Sequence, residues 1–475
     1  MDFWQERKKE QEMKRHTALR ILISFVFAVL NFYNIPAAAE GLYNENAVFQ
    51  NGACFTTWEK ERFASPGAGQ ALEMLADMGV DHIQIIVTWY QDSYDSIGIK
   101  STKLTPSDPS VIKAIINAQE MGLKVMLKPQ VDIINNEKGK YWRGNIGSAD
   151  DKGWERWFEE YERFIVHYAG IAQKYGVEIF CVGTELSLAA REDGYWRQII
   201  SSVRGIYSGE LIYAANWDNY RNIKFWKELD YAGIDAYFPL TQKSEPSVEE
   251  IKKGWKKWTE EIDSWHSAVN MPIVFTEIGY PSSAHAASNP WENGSGNPDV
   301  DMQTKCYKAF FGAVWGKAWL SGVYWWNFNP SIYGGGMYNR YFTPLNKPAA
   351  KILKKAYRSD RLVLRQLDGL SDVFEMTFAE PRDLKNRFIQ FRIKAGGGVK
   401  AVKFVLRDSF TRCSPSVSLN GVGERWKSFS INIEKKAFDF LDTRQVESIK
   451  FKILPAHRTG KEETPALFIE EIEFF

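Results

Sequence analysis

Glu185 and Glu277 each stand where an apolar, strand-like run gives way to turn-forming residues, EIFCVGTE (Glu178 to Glu185) and PIVFTE (Pro272 to Glu277). Charged side chains rarely enter a protein interior unless they are paired or put to chemical use. A carboxylate at the carboxyl end of a buried parallel strand lies where a (β/α)8 barrel keeps its reactive groups. Two such carboxyls, brought together by the fold, are what cleavage of a glycosidic bond requires: an acid/base and a nucleophile in a retaining enzyme, or an acid and a base with a water between them in an inverting one. One of the pair must then hold a proton while the other stays ionised. Whichever holds the proton should be raised by a drier site and by the neighbouring negative charge. Taken singly, each glutamate reads equally well as the strand-end partner of an Arg or Lys. Their places in the strand order set the pair apart.

From about Asn51 to Asn327 strand-like runs alternate with helix-like ones, the pattern of parallel βα units. The runs predict eight strands: 52–58, 82–89, 124–128, 178–185, 211–216, 231–237, 272–277 and 322–327. The two glutamates fall on the fourth and seventh. Helices are predicted between them, over 69–78, 110–121, 154–175, 194–207, 248–268 and 301–317, with a last one over 347–361. Gly79, Gly122 and Gly176 stand where three helices stop before a strand, positions that favour a left-handed residue. Strict alternation puts Ile179, Cys181, Gly183 and Glu185 on one side of strand 4, and Ile273, Phe275 and Glu277 on one side of strand 7, both facing inward. The expected fold is therefore an α/β (β/α)8 TIM barrel. After it the pattern changes to short alternating runs with little helix, which predicts a small antiparallel β-sandwich. The domain boundaries that follow are 1–39, 40–360 for the barrel and 361–475 for the sandwich.

The chain has 475 residues, with 60 Lys and Arg against 59 Asp and Glu, so its formal charge of +1 offers no electrostatic reason to expect a nucleic-acid partner. Aromatic residues make up 15% of the chain, including 18 Trp, and flat rings of this kind pack against sugar faces as readily as they fill a core. The N-terminal region carries a charged stretch, the apolar run ILISFVFAVL (Ile21 to Leu30) and small residues at Ala37 to Ala39, the three parts of an export signal. Its apolar run is short for a stable membrane span, which favours a cleaved signal over an uncleaved membrane anchor. The four cysteines (Cys54, Cys181, Cys306, Cys413) show neither CxxC nor metal-ligand spacing, and no metal or other cofactor is expected. Cys54 and Cys181 read as small buried hydrophobes.

The predicted strand ends carry further groups suited to sugars: Trp89 and Tyr90, Lys128, Asn216 and Trp217, Asp235, Tyr237, Trp325, Trp326 and Asn327. Each has a plainer alternative. Trp325 and Trp326 are adjacent, so only one of them can face the lumen. Asp235 is either a site acid or a structural acid paired with Lys128, and Lys128, next to Pro129, is either a site cation or a strand cap. Tyr237 shares the side of Asp235, and an inward hydroxyl there would hold a nucleophilic carboxylate in place and lower its pKa.

The segments FCVGTELS (Phe180 to Ser187), GIDAYFPL (Gly233 to Leu240), VFTEIGYPS (Val274 to Ser282) and GVYWWNF (Gly322 to Phe328) resemble the clan A glycoside hydrolases, and within them most closely the β-mannanases of family 113. The resemblance implies a retaining enzyme acting on a β-1,4-mannan or related hemicellulose, with Glu185 as acid/base and Glu277 as nucleophile. It also implies Tyr237 beside the nucleophile and Trp326 or Trp325 as a platform under the sugar. Many clan members have Asn before the acid/base, whereas this chain has Thr184, as in the GTE form of the mannanase-like family. Asn216 is then a candidate for the sugar 2-hydroxyl. The C-terminal ending ALFIEEIEFF (Ala466 to Phe475) resembles that of a jelly-roll carbohydrate-binding module, whose aromatics Phe410, Trp426, Phe438 and Phe440 either line a sugar-binding face or fill its core. A β-glucanase, a xylanase, an exo-β-glycosidase and a non-catalytic sugar-binding surface protein stay open as alternatives.

Overall fold

A computed structural model describes residues 49–358 except 295, and beyond them the strands named below with residues 384, 420, 422 and 433. Eight parallel strands close into a barrel: β1 (Gln50–Phe55), β2 (His82–Gln91), β3 (Lys124–Ile133), β4 (Ile179–Thr184), β5 (Glu210–Asn216), β6 (Tyr231–Asp235), β7 (Ile273–Ile278) and β8 (Leu320–Phe328), with β8 paired to β1. The helices are α1 (Pro66–Asp77), α2 (Asp108–Glu120), α3 (Asp151–Lys174), α4 (Asp193–Arg204), α5 (Val248–Val269), α6 (Val300–Ala313) and α7 (Pro348–Arg358). Side-chain caps start several of them: Ser107 and Asp150 accept from backbone N–H groups of α2 and α3, and Ser247 with Glu250 forms a capping box on α5. Gly79, Gly122 and Gly176 lie at φ 90°, 76° and 62°, the left-handed stops expected of them.

Two apolar clusters divide the barrel. Cys54, Ile86, Met126, Ile179, Cys181, Ile212, Ala214, Val274 and Tyr324 fill the lumen. The much larger cluster lies between strands and helices, where Trp157, Tyr161, Trp196 and Trp255 are buried. Aromatic residues are thus spent largely on bonding the wall to its helices. Cys54, Cys181 and Cys306 are free and buried, and Cys413 lies outside the described residues.

Strict alternation breaks at both strands that matter. On β4, Cys181 pairs with Ile212 but Thr184 with Ala214, so one extra residue is accommodated between them. Val182 packs in the helix-side cluster, and a Cβ on Gly183 would point the same way, 2.6 Å from Trp196 and 2.7 Å from Tyr213. Gly183 therefore does not face the lumen as alternation predicts. On β7 the correction is larger. Ile273 and Phe275 face the helices and Val274 faces the lumen, the reverse of the expected phase. A second irregularity, Phe275 opposite Ile234 but Glu277 opposite Asp235, brings Thr276 and Glu277 in succession to the inner side.

Strand β3 runs on to Ile133, well past Pro129, so Lys128 lies within the strand and does not cap its end. Proline is tolerated because pairing with β4 covers only Met126 and Leu127 and leaves that edge open. Beyond the barrel, β9 (Arg365–Gln366), β10 (Val373–Arg382), β12 (Val399–Asp408), β13 (Val417–Leu419) and β15 (Val446–Pro455) form one antiparallel sheet; β11 (Phe388–Gly396), β14 (Lys427–Asn432) and β16 (Ala466–Phe474) form the other. Alternate residues Ile389, Phe391 and Ile393 of β11 meet Val402, Phe404 and Leu406 of β12 and Ile449 and Phe451 of β15 in one core, which makes the pair of sheets a sandwich. Phe410, Trp426, Phe438 and Phe440 lie outside the described residues, as does the whole of 1–48. Among the described residues no helix is long and apolar enough to cross a membrane.

The rings facing Gly183 are fully buried and cannot swing aside. Gly183→Ala is therefore expected to cost about 1–3 kcal/mol in denaturant unfolding through overpacking, with a loss of activity beyond the loss of folded protein, because Glu185 lies two residues on. An unchanged unfolding midpoint would show that the bulge has room.

Candidate active site

Three inward positions of β3, each two residues from the last, carry Lys128, Gln130 and Asp132 toward the carboxyl end of the barrel, in phase with Met126 of the lumen. Lys128 is fully buried and lies between two carboxylates, with its ammonium 2.6 Å from Glu277 Oε1 and 3.3 Å from Asp235 Oδ1. Asp235 also accepts from Thr276 Oγ1 at 2.7 Å. Tyr237, two residues past Asp235 on the same side, donates its hydroxyl to Glu277 Oε2 at 2.8 Å. Both oxygens of Glu277 are thus held, one by a cation and the other by a phenol. Burial disfavours a charged Lys128, but Asp235 and Glu277 outweigh it and keep the ammonium cationic. Asp235 is paired with Lys128, and burial with the adjacent Glu277 pushes it up to about 7.

Glu185 follows β4 in the left-handed conformation, φ 52°, with its N–H donated to the Ala214 carbonyl at 2.8 Å. Its side chain is 13% exposed and its Oε2 lies 3.5 Å from Arg143 Nη1. Burial first, then the charges of Asp235 and Glu277, against the opposing pull of Arg143 and Lys128, push Glu185 up to about 8. The carboxyl is therefore protonated at neutral pH, the state expected of a proton donor, and it shares one electrostatic site with Glu277.

The remaining predicted residues divide by strand phase. Asn216 is in phase with the lumen residue Ala214, lies opposite Asp235 and donates to Asp218 at 2.8 Å. Trp326 is half-buried against the lumen cluster. Trp325 is fully buried on the helix side, stacked 4.0 Å from Tyr307, and no substrate can reach it. Trp89 is likewise out of phase with Ile86: its ring packs on Phe164 and its indole N–H goes to the Tyr168 hydroxyl at 2.8 Å. Trp217 leaves the lumen too, in edge contact with Phe238 and Trp258 and stacked on Trp291, 46% exposed, at 5.7 Å. Adjacency to a strand end suggested these three rings, and alternation counted from the lumen puts all three on the helix side, Trp325 being the one of its adjacent pair that does not face inward.

Gln130, Asp132, Arg143 and Thr276 were not anticipated. The first two carry a readable signal, polar residues continuing the phase of Lys128. Arg143 has none, because it lies in the connection between β3 and α3, where periodicity is silent. Among the described residues no three His, Cys, Asp or Glu side chains are grouped to hold a metal ion.

The model of Glycoside Hydrolase Family 113 matches residues 54–340. Among solved structures, the GH113 β-mannanase AaManA from Alicyclobacillus acidocaldarius, in complex with ManMIm, is 25% identical, with a TM-score of 0.60 over 65% of this chain and 97% of its own. Two structures of GH113 β-1,4-mannanase, one of them a complex, are 27% identical, with a TM-score of 0.60 over 66% of this chain and 99% of theirs. A search of curated proteins finds no significant match. The C-terminal sandwich lies beyond the matched residues.

The raised carboxyls give stability a defined pH dependence. Asp235 at about 7 and Glu185 at about 8 lie above their ordinary 3.8 and 4.5, so at intermediate pH the folded chain holds protons that the unfolded chain has released. Their contribution to stability is complete below about pH 4 and is lost as pH rises through 7 and 8. Thermal unfolding followed by circular dichroism should show a midpoint that falls between pH 5 and pH 8, and Glu185→Gln should flatten part of that fall.

Proposed function

Because the chain belongs to glycoside hydrolase family 113, we propose that it is a retaining hydrolase of β-1,4-mannosidic bonds in mannan or a related hemicellulose, with Glu185 as acid/base and Glu277 as nucleophile. The observation that carries this reading is the unequal treatment of two carboxyls in one site. Glu277 is held by Lys128 and Tyr237, donors that stabilise an anion, while Glu185 is kept protonated by burial and by neighbouring carboxyls.

In the first step Glu277 attacks the anomeric carbon. The bond from that carbon to the glycosidic oxygen breaks, and Glu185 gives its proton to the departing oxygen. In the second, Glu185, now a carboxylate, takes a proton from water whose oxygen attacks the same carbon, and the bond to Glu277 breaks. Lys128 and Tyr237 fix the attacking carboxylate and receive its charge back when it leaves. Trp326 is assigned as the ring under the sugar, and Asn216 as the partner of its 2-hydroxyl. An extracellular site of action belongs to the same proposal, since a polysaccharide is cleaved where it is met. The sandwich is assigned a carbohydrate-binding or bracing role.

The test is a panel of mannan, xylan and cellulose oligosaccharides with product anomers followed by NMR, in which mannosidic cleavage with retained configuration is expected. Glu185→Ala should be crippled on polysaccharide yet react with an activated aryl glycoside, and added azide should restore its turnover to give a β-glycosyl azide. A β-azide product from Glu277→Ala instead would reverse the two roles. Release from xylan or cellulose alone would give the alternative sugars, and no release from any would leave a sugar-binding barrel.

A further inference from the structure

Arg143 has no part in the two steps above, yet its guanidinium is the cation nearest the proposed acid/base. It projects from a short 3-10 turn, Arg143–Asn145, in the connection between β3 and α3, and its side chain is only 15% exposed. Nη2 donates to Asp132 Oδ2 at 3.0 Å, and Nη1 is shared between Gln130 Oε1 at 3.0 Å and Glu185 Oε2 at 3.5 Å. Gln130 in turn donates to Thr88 Oγ1 on β2 at 2.9 Å, which fixes its carbonyl toward the guanidinium. The planar fork is thus clamped to two inward residues of β3 and aimed at a carboxyl carried by β4.

We propose that Arg143 is a positioning residue, clamped by Gln130 and Asp132, that orients the Glu185 carboxyl and supplies the positive charge allowing it to turn from acid into base between the two steps. The proposal rests on the assignment of Glu185 in the proposed function. The groups that face Glu185 are Arg143 from the loop after β3, Lys128 from β3, Tyr213 from β5, Asp235 from β6 and Glu277 from β7. Without Arg143 the carboxyl would meet two carboxylates with only the more distant Lys128 in opposition, since that ammonium is already engaged by Asp235 and Glu277. Bond formation to the sugar removes the Glu277 charge before the second step, but burial and Asp235 still hold the proton, and Arg143 is the cation beside the carboxyl that opposes them when Glu185 must be a carboxylate. With Arg143 in place the same carboxyl can be an acid before the glycosidic bond breaks and a base afterwards.

The sign of each substitution follows. Arg143→Gln removes the cation, so the alkaline limb of kcat/KM on a mannooligosaccharide should move up by about one pH unit, the low end of the range for a carboxylate beside an arginine. Arg143→Lys keeps the charge and should leave the limb near that of the wild type while turnover falls, because the fork is lost. Asp132→Asn keeps an acceptor for Arg143 but removes a negative charge, so the limb should move slightly down. A purely structural role would lower activity evenly across pH in all three and leave the limb where it is. Titration of the Glu185 carboxyl carbon by NMR in the full chain, without substrate, should show the same three directions, so the charge coupling is read even if the preferred sugar is not mannose. Equal midpoints in the wild type and Arg143→Gln would overturn the proposal. Should Arg143→Gln fail to fold, an unmoved or upward midpoint in Asp132→Asn would overturn it equally.

Discussion

The ammonium of Lys128, sealed inside the barrel between Asp235 and Glu277, is the interaction on which the site depends. Removing such a charge from water costs several kcal/mol, and the cost is offset only where opposite charges and hydrogen bonds meet it closely. Here three strands supply what it needs. β3 brings the cation, β6 brings Asp235 and, two residues on, Tyr237, and β7 brings Thr276 and Glu277. If any of these strands slipped by one residue, a charge would be left buried without its partner. The register of this half of the barrel is therefore held by electrostatics as well as by apolar packing. This arrangement also gives the Glu277 side chain, 4% exposed, a partner for each of its oxygens.

Much of the fold was legible in the chain. Alternating apolar runs and glycine stops marked every barrel strand and its helices, because buried parallel strands are short, β-branched and bounded by turn-formers. The two glutamates were found at strand ends, but the phase argument behind them was wrong in detail. Ile273 and Phe275 face the helices, and Glu277 reaches the site only because β7 takes in an extra residue. A bulge has no signature in hydrophobic periodicity beyond the small residue it sometimes requires, here Gly183 on β4. Trp89, Trp217 and Trp325 pack against the helix-side cluster for a complementary reason: a ring at a strand end is as useful for packing a helix as for holding a sugar, and only phase separates the two. Arg143 was invisible because it belongs to a connection between elements, where partners are set by tertiary geometry alone.

The two bulges share a purpose in the architecture. A regular strand delivers side chains to the lumen at every second residue, a spacing that cannot also meet the needs of the wall outside. On β4 the extra residue lets Val182 and Gly183 serve the helix side in succession, so that Trp196 and Tyr213 close over the strand. On β7 it gives Thr276 to Asp235 and Glu277 to Lys128 and Tyr237 in one step. Packing outside and polar chemistry inside are reconciled at the strand ends, where β-sheets accept irregularity most readily.

The left-handed backbone at Glu185 has a consequence for the history of such chains. An L side chain there costs about 1–2 kcal/mol that glycine would not. Folding alone therefore favours the loss of this glutamate, and in the proposed function it is the use of its carboxyl that opposes that drift. In a lineage that had abandoned the reaction, this position would be among the first to become glycine or asparagine, leaving the barrel sturdier and silent.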